Sequence, residues 1–542
     1  MHSKPNLLLL SLFSALLLSL AWYWKLSISA FFGFVPLLLL EDWLSASEQA
    51  RRRLKIWAYS YLTFLIWNVL VTWWVVYASF GGALMAFICN ALLMSIVFLI
   101  FSNLKKRINQ PWAVWLLVPL WLAWEYGHTL WDLSWTWMSI GNLFAFNHHW
   151  VQWYEYTGAA GGTLWVLMVN ILIFSILKTA SPFRLFSKPI LKISLAILLP
   201  ILFSYGMLLL RQPLSHPSDK RHALVVQPNI DPYNTKFSLD FQSQFFKFLS
   251  LAKQRITPET DFLVLPETFI TENLDEAHLA NSPEIQWFRD SLLMAFPNLE
   301  IITGGNSYVV YKNKKDITAT ARLDGHSGES YDVFNTGFLI NKNGVQVYHK
   351  SKLVPGVERM PFPALFKPLE SLAIDMGGTM GSLGVQAERS VFTDDLKRTF
   401  IAPVICYESV YGDYVGDYIR KKANLIFIIT NDGWWENTPG YIQHLNYARL
   451  RAIEHRRQIA RSANTGISCF IDEFGNLSDA TNWWEEAVIE KDVYINNELT
   501  FFSRFGELLS YASVVVSLLL LVMSLYLRFT GNRKREIRNE NP

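Results

Sequence analysis

The chain has 542 residues, of which 51% are hydrophobic and 15% aromatic, and its formal net charge is only +3. This length allows several domains, and the small net charge gives no sign of a nucleic-acid partner. The three cysteines cannot build a disulfide framework, because one of them always remains unpaired.

Apolar segments dominate the first 210 residues and return once near the C-terminus. A membrane-spanning helix needs roughly 20 mostly apolar residues, and the second, fifth and sixth segments are shorter than this. The sequence predicts eight spans, which are Asn6–Trp24, Leu26–Leu40, Ile56–Phe80, Gly82–Phe101, Trp112–Tyr126, Leu164–Leu177, Ile190–Leu210 and Leu508–Leu527.

Basic residues alternate between the loops that join these spans. Short loops rich in Lys and Arg remain in the cytoplasm. The second, fourth and sixth loops and the tail are basic, whereas the first loop has one Lys and the third and fifth have none. Removing one internal span would place basic loops on both faces, so the pattern predicts residues 211–507 outside and both termini inside. The basic residues are Arg51, Arg52, Arg53, Lys55, Lys105, Lys106, Arg107, Lys178, Arg184, Lys188, Lys192, Arg528, Arg533, Lys534, Arg535 and Arg538.

The N-terminus admits two interpretations. Lys4 followed by an apolar run fits a signal peptide, and Ser19-Leu20-Ala21 is an acceptable cleavage site. The bulky segment 22–25 after it favours a retained anchor. Residues 211–507 lie outside in both cases.

The fifth loop, residues 127–162, is rich in Trp and Tyr. These side chains favour the membrane interface, where the ring is in apolar surroundings and its polar edge is wet. The loop therefore indicates either an aromatic anchor belt or a lipid-facing wall beside an active site. His148 and His149 are adjacent and do not share a helix face, so no metal site is expected there.

From residue 221 to residue 499, short β-rich runs alternate with amphipathic helical stretches, which predicts one large α/β domain. The helical stretches are at 238–255, 282–296 and 440–462. Glycine-rich phosphate motifs and zinc-spaced Cys/His clusters are absent from the sequence, so no cofactor and no metal are expected. The predicted strands are His222–Gln227, Asp261–Glu267, Leu299–Gly305, Asn335–Ile340, Thr399–Glu408, Asn424–Thr430 and Gly466–Asp472.

Three reactive side chains follow strand-like runs of this domain: Glu267, Lys350 and Cys406. A carboxylate base, an ammonium that stabilises an oxyanion and a thiolate nucleophile are together sufficient for acyl transfer. Each one alone is more often a solvated strand end, a surface lysine or a packed cysteine. Their occurrence at three strand ends of one domain favours the catalytic interpretation.

Two neighbouring residues complicate this picture. Lys352 competes with Lys350 for the same role on composition alone. Glu358 lies in a loop flanked by Pro and Gly, which is typical of mobile lid residues.

The other cysteines, Cys89 in an apolar run and Cys469 in a probable strand, are interpreted as packing residues.

The motifs around these residues resemble the nitrilase (carbon–nitrogen hydrolase) superfamily. "LPE" ending at Glu267, "KSKLVP" from Lys350 and "CYE" from Cys406 occur in the family's order. The segments 225–231, 431–435 and 443–466, together with seven spans before the domain, are similar to the membrane-bound branch that acylates lipoproteins in bacteria.

This resemblance implies a four-layer α-β-β-α fold carried by a polytopic α-helical membrane bundle of about eight spans. It implies that Glu267 is the base, Lys350 the oxyanion partner and Cys406 the nucleophile. It further implies that Glu358 positions Lys350 or the substrate and that Glu408 supports the site by hydrogen bonding. Two departures from the family loop are Gly356-Val357, where Phe-Gly is usual, and Lys352, where His is usual.

The implied reaction moves an acyl chain from a membrane phospholipid, through a thioester on Cys406, to the α-amine of a diacylglyceryl-modified cysteine of a lipoprotein. The implied location is the bacterial inner membrane, with the catalytic domain on the periplasmic side. The expected domains are 1–212 (seven spans), 213–500 (catalytic) and 501–542 (last span and basic tail). A membrane-anchored amidase, or a lipid-binding or transport scaffold with an inactive domain, remains an alternative.

Overall fold

A computed structural model describes residues 5–23, 26–46, 51–178, 188–216, 219–236, 238–363, 382–394 and 399–540, with residues 527–540 described by their backbone alone. Several residues used in the sequence interpretation lie outside the described side chains. These are Lys4, Trp24, Lys25, Arg184 and the basic residues of the tail.

The helices of the described residues divide into a membrane group and a group in the α/β domain. The first group is α1 (Leu7–Leu20), α2 (Ala30–Gly33), α3 (Val35–Ala46), α4 (Arg52–Thr72), α5 (Val75–Ala78), α6 (Phe80–Ile108), α7 (Leu117–Gly127), α8 (Tyr154–Thr157), α9 (Ala159–Lys178) and α10 (Lys188–Leu210). The second group and the C-terminal helices are α11 (Phe241–Ala252), α12 (Pro283–Phe288), α13 (Gly412–Arg420), α14 (Pro439–His455), α15 (Phe501–Phe505) and α16 (Leu508–Glu540).

Six helical segments in the described part of the chain are long and apolar enough to cross a membrane. They are Ser27–Ala46, Arg52–Thr72, Phe80–Ile108, Ala159–Lys178, Lys188–Leu210 and Leu508–Tyr526, and each overlaps one of the eight predicted spans. The first predicted span is the shorter helix α1, and the fifth is α7, which follows a 3₁₀ turn at Pro111–Leu116. The 3₁₀ turn accommodates Pro111 at its first position, and α7 after it has 11 residues.

Ion pairs join the helices at one end of the bundle. The carboxylate of Glu41 on α3 is fully buried and accepts hydrogen bonds from Lys105 Nζ at 2.5 Å and Ser102 Oγ at 2.7 Å. Its neighbour Asp42 pairs with Lys105 at 3.2 Å and with Lys178 at 2.8 Å. A buried carboxylate needs such partners to offset its lost hydration. Basic residues from the fourth and sixth loops therefore meet at one end of the bundle.

The strands form two sheets. They are β1 (Lys220–Gln227), β2 (Phe262–Val264), β3 (Ile270–Asp275), β4 (Glu300–Tyr311), β5 (Arg322–Leu323), β6 (Ser330–Asn341), β7 (Gly344–His349), β8 (Phe392–Asp394), β9 (Thr399–Ile405), β10 (Leu425–Thr430), β11 (Ile459–Ala463), β12 (Cys469–Ile471), β13 (Leu477–Ser478) and β14 (Ala487–Tyr494). The first sheet has the order β14-β1-β2-β4-β6-β5, with β3 paired to β4 and β7 to β6. The second has the order β13-β12-β11-β10-β9-β8.

The two sheets pack face to face, and helices cover their outer faces. Successive strand residues point to opposite faces, so Val225 packs towards the second sheet while Leu224 and Val226 pack with α11 and α12. Phe262 of the first sheet meets Phe427 of the second edge to face, with ring centroids 5.2 Å apart. Helices α13 and α14 cover the second sheet. The predicted α-β-β-α architecture on a set of apolar helices is therefore confirmed.

Helix α14 ends earlier than the sequence analysis predicts. The predicted helical stretch runs to residue 462, but α14 stops at His455 and residues 459–463 form β11. Arg456 adopts a left-handed conformation, with φ of 48°, which ends the helix. The short link brings the chain back into the second sheet, beside β10.

Helix α14 also joins the α/β domain to the membrane segment. Trp137 Nε1 donates to Gln443 Oε1 at 2.7 Å, and Trp22 Nε1 donates to the Tyr447 hydroxyl at 3.1 Å. Gly440, at the start of this helix, lies so close to the Trp74 ring that a side chain there would collide with it. The outer helical layer of the domain therefore rests directly on the aromatic loops of the bundle.

Candidate active site

Glu267 follows the short strand β2, whose backbone continues through Leu265 to a hydrogen bond between Gly304 and Pro266. A Cβ atom at Gly304 would lie 2.7 Å from the Glu267 Cα, so this close approach requires glycine. Thr268 has a φ of 47°, which turns the chain immediately after the carboxylate. The turn directs the buried side chain of Glu267 into the domain.

Lys350 is the first residue after β7, and its backbone amide donates to the Asn335 carbonyl at 2.8 Å. Its side chain is only 1% exposed. The ammonium donates to Glu267 Oε1 at 2.9 Å and to Glu358 Oε1 at 2.7 Å. A lysine this deeply buried is rarely found without such partners, and here two carboxylates compensate its charge.

Cys406 comes directly after β9 and begins the 3₁₀ turn Cys406–Val410. Its φ is 48°, a left-handed value that is uncommon for residues other than glycine. Such backbone strain is concentrated at active sites, where the surrounding structure holds it in place. Here the Cys406 carbonyl accepts hydrogen bonds from Ser409 Oγ at 2.8 Å and from the His444 ring at 3.1 Å.

The charges around the thiol favour its neutral form. Burial raises the pKa of Cys406, and the nearby Glu267 carboxylate raises it further, although Lys350 acts in the opposite direction. Burial alone would raise the pKa of Glu267, but the charge and hydrogen bond of Lys350 outweigh burial and lower it. The resting site therefore holds a carboxylate, an ammonium and a neutral thiol, which is the state that a base must deprotonate.

Glu358 connects the loop that contains it to the side chain of Lys350. Its Oε1 accepts from the Lys350 ammonium, and its Oε2 accepts from the Val354 backbone amide at 2.8 Å. Gly356 in the same loop has a φ of 75°, a conformation that glycine adopts without strain. Glycine therefore suits this position of the loop, and Val357 lines the same cavity as Glu358.

Glu408 is fully buried and binds backbone on both sides of the site. Its Oε1 accepts from the Ser351 amide at 2.8 Å, and its Oε2 accepts from the Ile405 amide at 2.9 Å. The hydroxyls of Tyr348 and Tyr414 also donate to Oε1, at 2.6 and 2.5 Å. One carboxylate thereby links the residue after Lys350 to the residue before Cys406.

The Lys352 side chain lies outside the cavity that contains Cys406. Its Nζ donates to the Thr129 carbonyl at 2.7 Å and lies 5.0 Å from the centre of the Tyr411 ring. It lines a separate cavity of about 260 Å³ between the fifth loop and α13. Of the two lysines, Lys350 is therefore the one that contacts Glu267, and Lys352 connects the catalytic domain to the fifth loop.

Glu267, Lys350, Glu358 and Cys406 line one cavity of about 140 Å³. Part of its wall comes from the membrane segment, through Trp74, Val75, Ala78, Trp135 and Trp137. The remaining lining residues are Thr268, Asn306, Asn335, Val354, Val357, Leu383, Tyr407, Asn431, Trp434 and Trp435. The aromatic fifth loop therefore contributes directly to the wall of the site, as one of its two interpretations expects.

The two histidines of the fifth loop have protein partners. The ring nitrogens of His148 and His149 both lie within hydrogen-bonding distance of Asn476 Oδ1, at 3.2 and 2.8 Å. Arg449 also donates to His148, at 3.0 Å. Through these hydrogen bonds, His148 and His149 connect the fifth loop to the α/β domain. Cys469 is buried in β12, as expected for a packing residue.

A second buried cluster lies behind Cys406, and the sequence analysis missed it. His444 Nδ1 lies 2.9 Å from Asp432 Oδ1, and Arg461 donates to Asp432 Oδ2 at 2.6 Å. Potential ligand atoms of Cys406, Asp432 and His444 lie within 4.8 Å of one another. The guanidinium of Arg461 already neutralises Asp432, which disfavours a bound cation. The sequence analysis singled out the segments 431–435 and 443–466, which contain Asp432, His444 and Arg461, but it assigned them no contact with one another.

Family models match both parts of the chain. The family model for carbon–nitrogen hydrolase matches residues 223–497, and the model for the apolipoprotein N-acyltransferase N-terminal domain matches residues 14–172. Among solved structures, Saccharomyces cerevisiae Nit3, a member of branch 10 of the nitrilase superfamily, is similar over 52% of this chain and 92% of its own, with 16% identity and a TM-score of 0.35. The two family models identify the chain as a carbon–nitrogen hydrolase domain joined to apolar helices that are long enough to cross a membrane.

Two curated relatives narrow the class. An apolipoprotein N-acyltransferase of Chlorobaculum tepidum is 30% identical over 533 residues, which cover 95% of each chain. Another, from Geobacter metallireducens, is 25% identical over 401 residues, which cover 73% of this chain and 71% of the relative. The chain belongs to the apolipoprotein N-acyltransferase family.

Proposed function

We propose that this protein transfers a fatty acyl chain from a membrane phospholipid to the α-amine of the N-terminal S-diacylglyceryl cysteine of lipoproteins. Glu267 is the base, Lys350 the oxyanion partner and Cys406 the nucleophile. Membership of the acyltransferase family supports the reaction. The cavity supports the residue roles, because it brings these three side chains together beneath an aromatic wall from the membrane segment.

The first half-reaction forms a thioester. The Glu267 carboxylate takes the Cys406 proton, and the thiolate attacks the ester carbonyl carbon of the phospholipid. Lys350 stabilises the oxyanion of the tetrahedral intermediate. The C–O bond to the glycerol then breaks, and Glu267 returns the proton to the departing alkoxide, so that a lysophospholipid leaves.

The second half-reaction forms an amide. The neutral amine of the lipoprotein attacks the thioester carbon, and one of its protons passes to Glu267. The C–S bond breaks, and Glu267 protonates the Cys406 sulfur, which regenerates the resting enzyme. A thioester reacts more readily with amines than with water, and a dry apolar wall protects it further from hydrolysis.

The supporting residues hold this geometry. Glu358 shares the Lys350 ammonium with Glu267 and therefore positions it. Glu408 fixes the backbone beside Lys350 and beside Cys406 through Ser351 and Ile405. Because catalysis needs reacting groups placed to within a fraction of an ångström, both carboxylates belong to the positioning framework of the site.

The proposed location is the bacterial inner membrane, with the catalytic domain 213–500 on the periplasmic side between segments 1–212 and 501–542. Helix α6 supports this arrangement. Gly82, near its start, lines the same small cavity as Val357 of the catalytic domain, whereas Lys105, near its end, belongs to the basic network around Glu41. The 23 steps between Gly82 and Lys105 correspond to about 35 Å of helix, enough to cross the hydrocarbon core.

A covalent adduct provides the decisive test. The purified protein is incubated in nanodiscs with a phospholipid that carries a deuterated acyl chain, and Cys406 is analysed by mass spectrometry. The proposal expects a deuterated acyl thioester on Cys406 that disappears when a diacylglyceryl lipopeptide is added, with the label recovered as an amide. Release of free fatty acid alone would indicate a hydrolase instead, and an unmodified cysteine would contradict the assignment.

A further inference from the structure

Asn335 lies within β6 and lines the cavity that contains Cys406. It is 4% exposed, and its backbone carbonyl accepts from the Lys350 amide. Across the sheet it pairs with Asn306 of β4, which lines the same cavity. A polar side chain in the middle of a buried strand normally has a specific partner, because an unpaired buried amide is unfavourable.

The orientation of the Asn335 amide follows from its neighbours. Nδ2 donates to Glu267 Oε1 at 2.8 Å and to Glu358 Oε1 at 3.2 Å. Both carboxylates only accept hydrogen bonds when ionised, so the reversed amide would place its oxygen against two negative oxygens. The two Nδ2 hydrogens are therefore used, and Oδ1 is a fixed acceptor.

Oδ1 of Asn335 has no hydrogen-bond partner among the described residues. Leaving a buried acceptor unpaired is unfavourable, and a buried unpaired group of this kind needs an explanation. The nearby ammonium of Lys350 is directed at Glu267 and Glu358. A hydrogen-bond donor that enters the cavity would satisfy this oxygen.

The two substrates differ in whether they carry such a donor. The ester group of a phospholipid has no N–H or O–H at its reacting carbon. A neutral primary amine has two N–H bonds, and only one of these protons is transferred to Glu267. We propose that Asn335 Oδ1 accepts the second N–H of the attacking lipoprotein amine, so that this residue binds the acceptor and orients its lone pair. The inference rests on the proposed function.

The bond changes give this contact a catalytic effect. As the nitrogen attacks, it forms the C–N bond, gives one proton to Glu267, and the C–S bond to Cys406 breaks. The proton returns from Glu267 to the sulfur. The remaining N–H becomes more acidic as the nitrogen shares its lone pair, so its hydrogen bond to Asn335 is stronger in the transition state than in the bound state.

The hydrogen bond between Asn335 Oδ1 and the amine can be isolated by a double-variant cycle, in which the enzyme and the acceptor are changed separately and together. Thioester-loaded wild type and Asn335→Leu are each mixed with a diacylglyceryl lipopeptide that has a primary amine or an N-methylated amine, and the aminolysis rate per loaded enzyme is measured. The N-methyl amine has no N–H left after proton transfer. We expect the wild-type preference for the primary amine to exceed the variant's by about tenfold, the worth of one hydrogen bond.

Asn306→Leu is the matched control, because it makes the same change on the neighbouring strand of the same cavity. We expect it to keep the wild-type preference. An equal preference in wild type and Asn335→Leu would overturn the inference, since Asn335 would then act only through Glu267. A rise in the ratio of amide to free acid in Asn335→Leu would assign Oδ1 to water and overturn it as well. Failure of wild type to load at all would instead count against the proposed function.

Discussion

The carboxylate of Glu408 accepts a hydrogen bond of 2.8 Å from the backbone amide of Ser351. Ser351 follows Lys350 beyond the end of β7 in one sheet, and Glu408 lies two residues after Cys406 beyond the end of β9 in the other. The bond therefore crosses between the two sheets and sets the separation of the ammonium and the thiol. The Tyr348 hydroxyl donates to the same carboxylate at 2.6 Å, so Glu408 holds both ends of this link and is the target of the first test.

Replacement of Glu408 by Gln should slow thioester formation while leaving the fold largely intact. The glutamine amide can accept from only one of Ser351 and Ile405, so one buried donor loses its partner at a cost of about 1–3 kcal/mol. We expect a fall in melting temperature and a decrease of about 10- to 100-fold in thioester formation. Both are measured in nanodiscs, by thermal unfolding and by intact mass after exposure to phospholipid.

The matched control is Glu490→Gln, which makes the same change at a half-exposed pair with Arg255. A surface pair contributes about 0–1 kcal/mol, so this variant should behave like wild type. Wild-type loading in Glu408→Gln would show that the link between the two sheets does not position the site.

Replacement of Glu267 by Gln should have opposite effects on two reactions of Cys406: faster alkylation and slower thioester formation. The carboxylate raises the pKa of the thiol, while Lys350 lowers it. Without the carboxylate, the pKa falls, and alkylation by iodoacetamide at pH 8 should become about three- to tenfold faster. Thioester formation from phospholipid should drop by at least about 100-fold, because the base that transfers the proton is lost.

The pH dependence of alkylation checks the sign of this effect. The raised thiol pKa predicts slow alkylation of wild type at neutral pH and a rate that climbs throughout the alkaline range. The profile of Glu267→Gln should be displaced to lower pH, and that of Glu272→Gln, outside the cavity, should match wild type. A slower alkylation in Glu267→Gln would contradict the proposed charge balance.

The position of Glu267, Lys350 and Cys406 around one cavity was predictable, because strand ends of one α/β domain meet at the edges of its sheets. The seven predicted strands also correspond to strands in the structure, since short β-rich runs bounded by turns carry a clear local signal. The three nitrilase-like motifs then distinguished Lys350 from Lys352, which composition alone did not.

Other features depended on packing that no local pattern encodes. Asn335 lies in a predicted strand, but its role depends on an unpaired oxygen that only the three-dimensional neighbours reveal. Helix α14 was expected to be amphipathic, yet Gln443, His444 and Glu454 are all buried because it lies between the second sheet and the membrane segment. The short α7 counted as a span on composition, although its helical length is set by the 3₁₀ turn at its start.

The two neighbouring lysines offer a direct comparison. Lys350→Met removes the ammonium that contacts Glu267 and should reduce thioester formation by at least about 100-fold. Lys352→Met removes a hydrogen bond to Thr129 outside the catalytic cavity. It should lower stability by about 0.5–2 kcal/mol and leave the rate of loading within about threefold of wild type.

Loading assays and thermal unfolding of both variants in the same nanodiscs provide the measurement. Equal loss of loading in the two variants would contradict the distinction between them. Normal loading in Lys350→Met would remove the basis for its oxyanion role.

The ion pair behind Cys406 predicts a pH effect on stability. The Arg461 guanidinium and the His444 ring hold the pKa of Asp432 well below its usual range, against the effect of burial. A carboxyl group with a lowered folded-state pKa stabilises the fold at every pH above its unfolded value of about 4, and this contribution disappears only as the pH falls through the folded value. Asp432→Asn should therefore be less stable than wild type by about 3–5 kcal/mol at pH 7, because it leaves the Arg461 charge buried without its partner. The difference in melting temperature between the two proteins should stay constant from pH 7 to about pH 5 and narrow only below about pH 4.

Asp479→Asn, which breaks an exposed pair with Lys491, should match wild type throughout. A difference for Asp432→Asn that already narrows between pH 7 and pH 5 would mean that Asp432 is not held ionised in the folded protein.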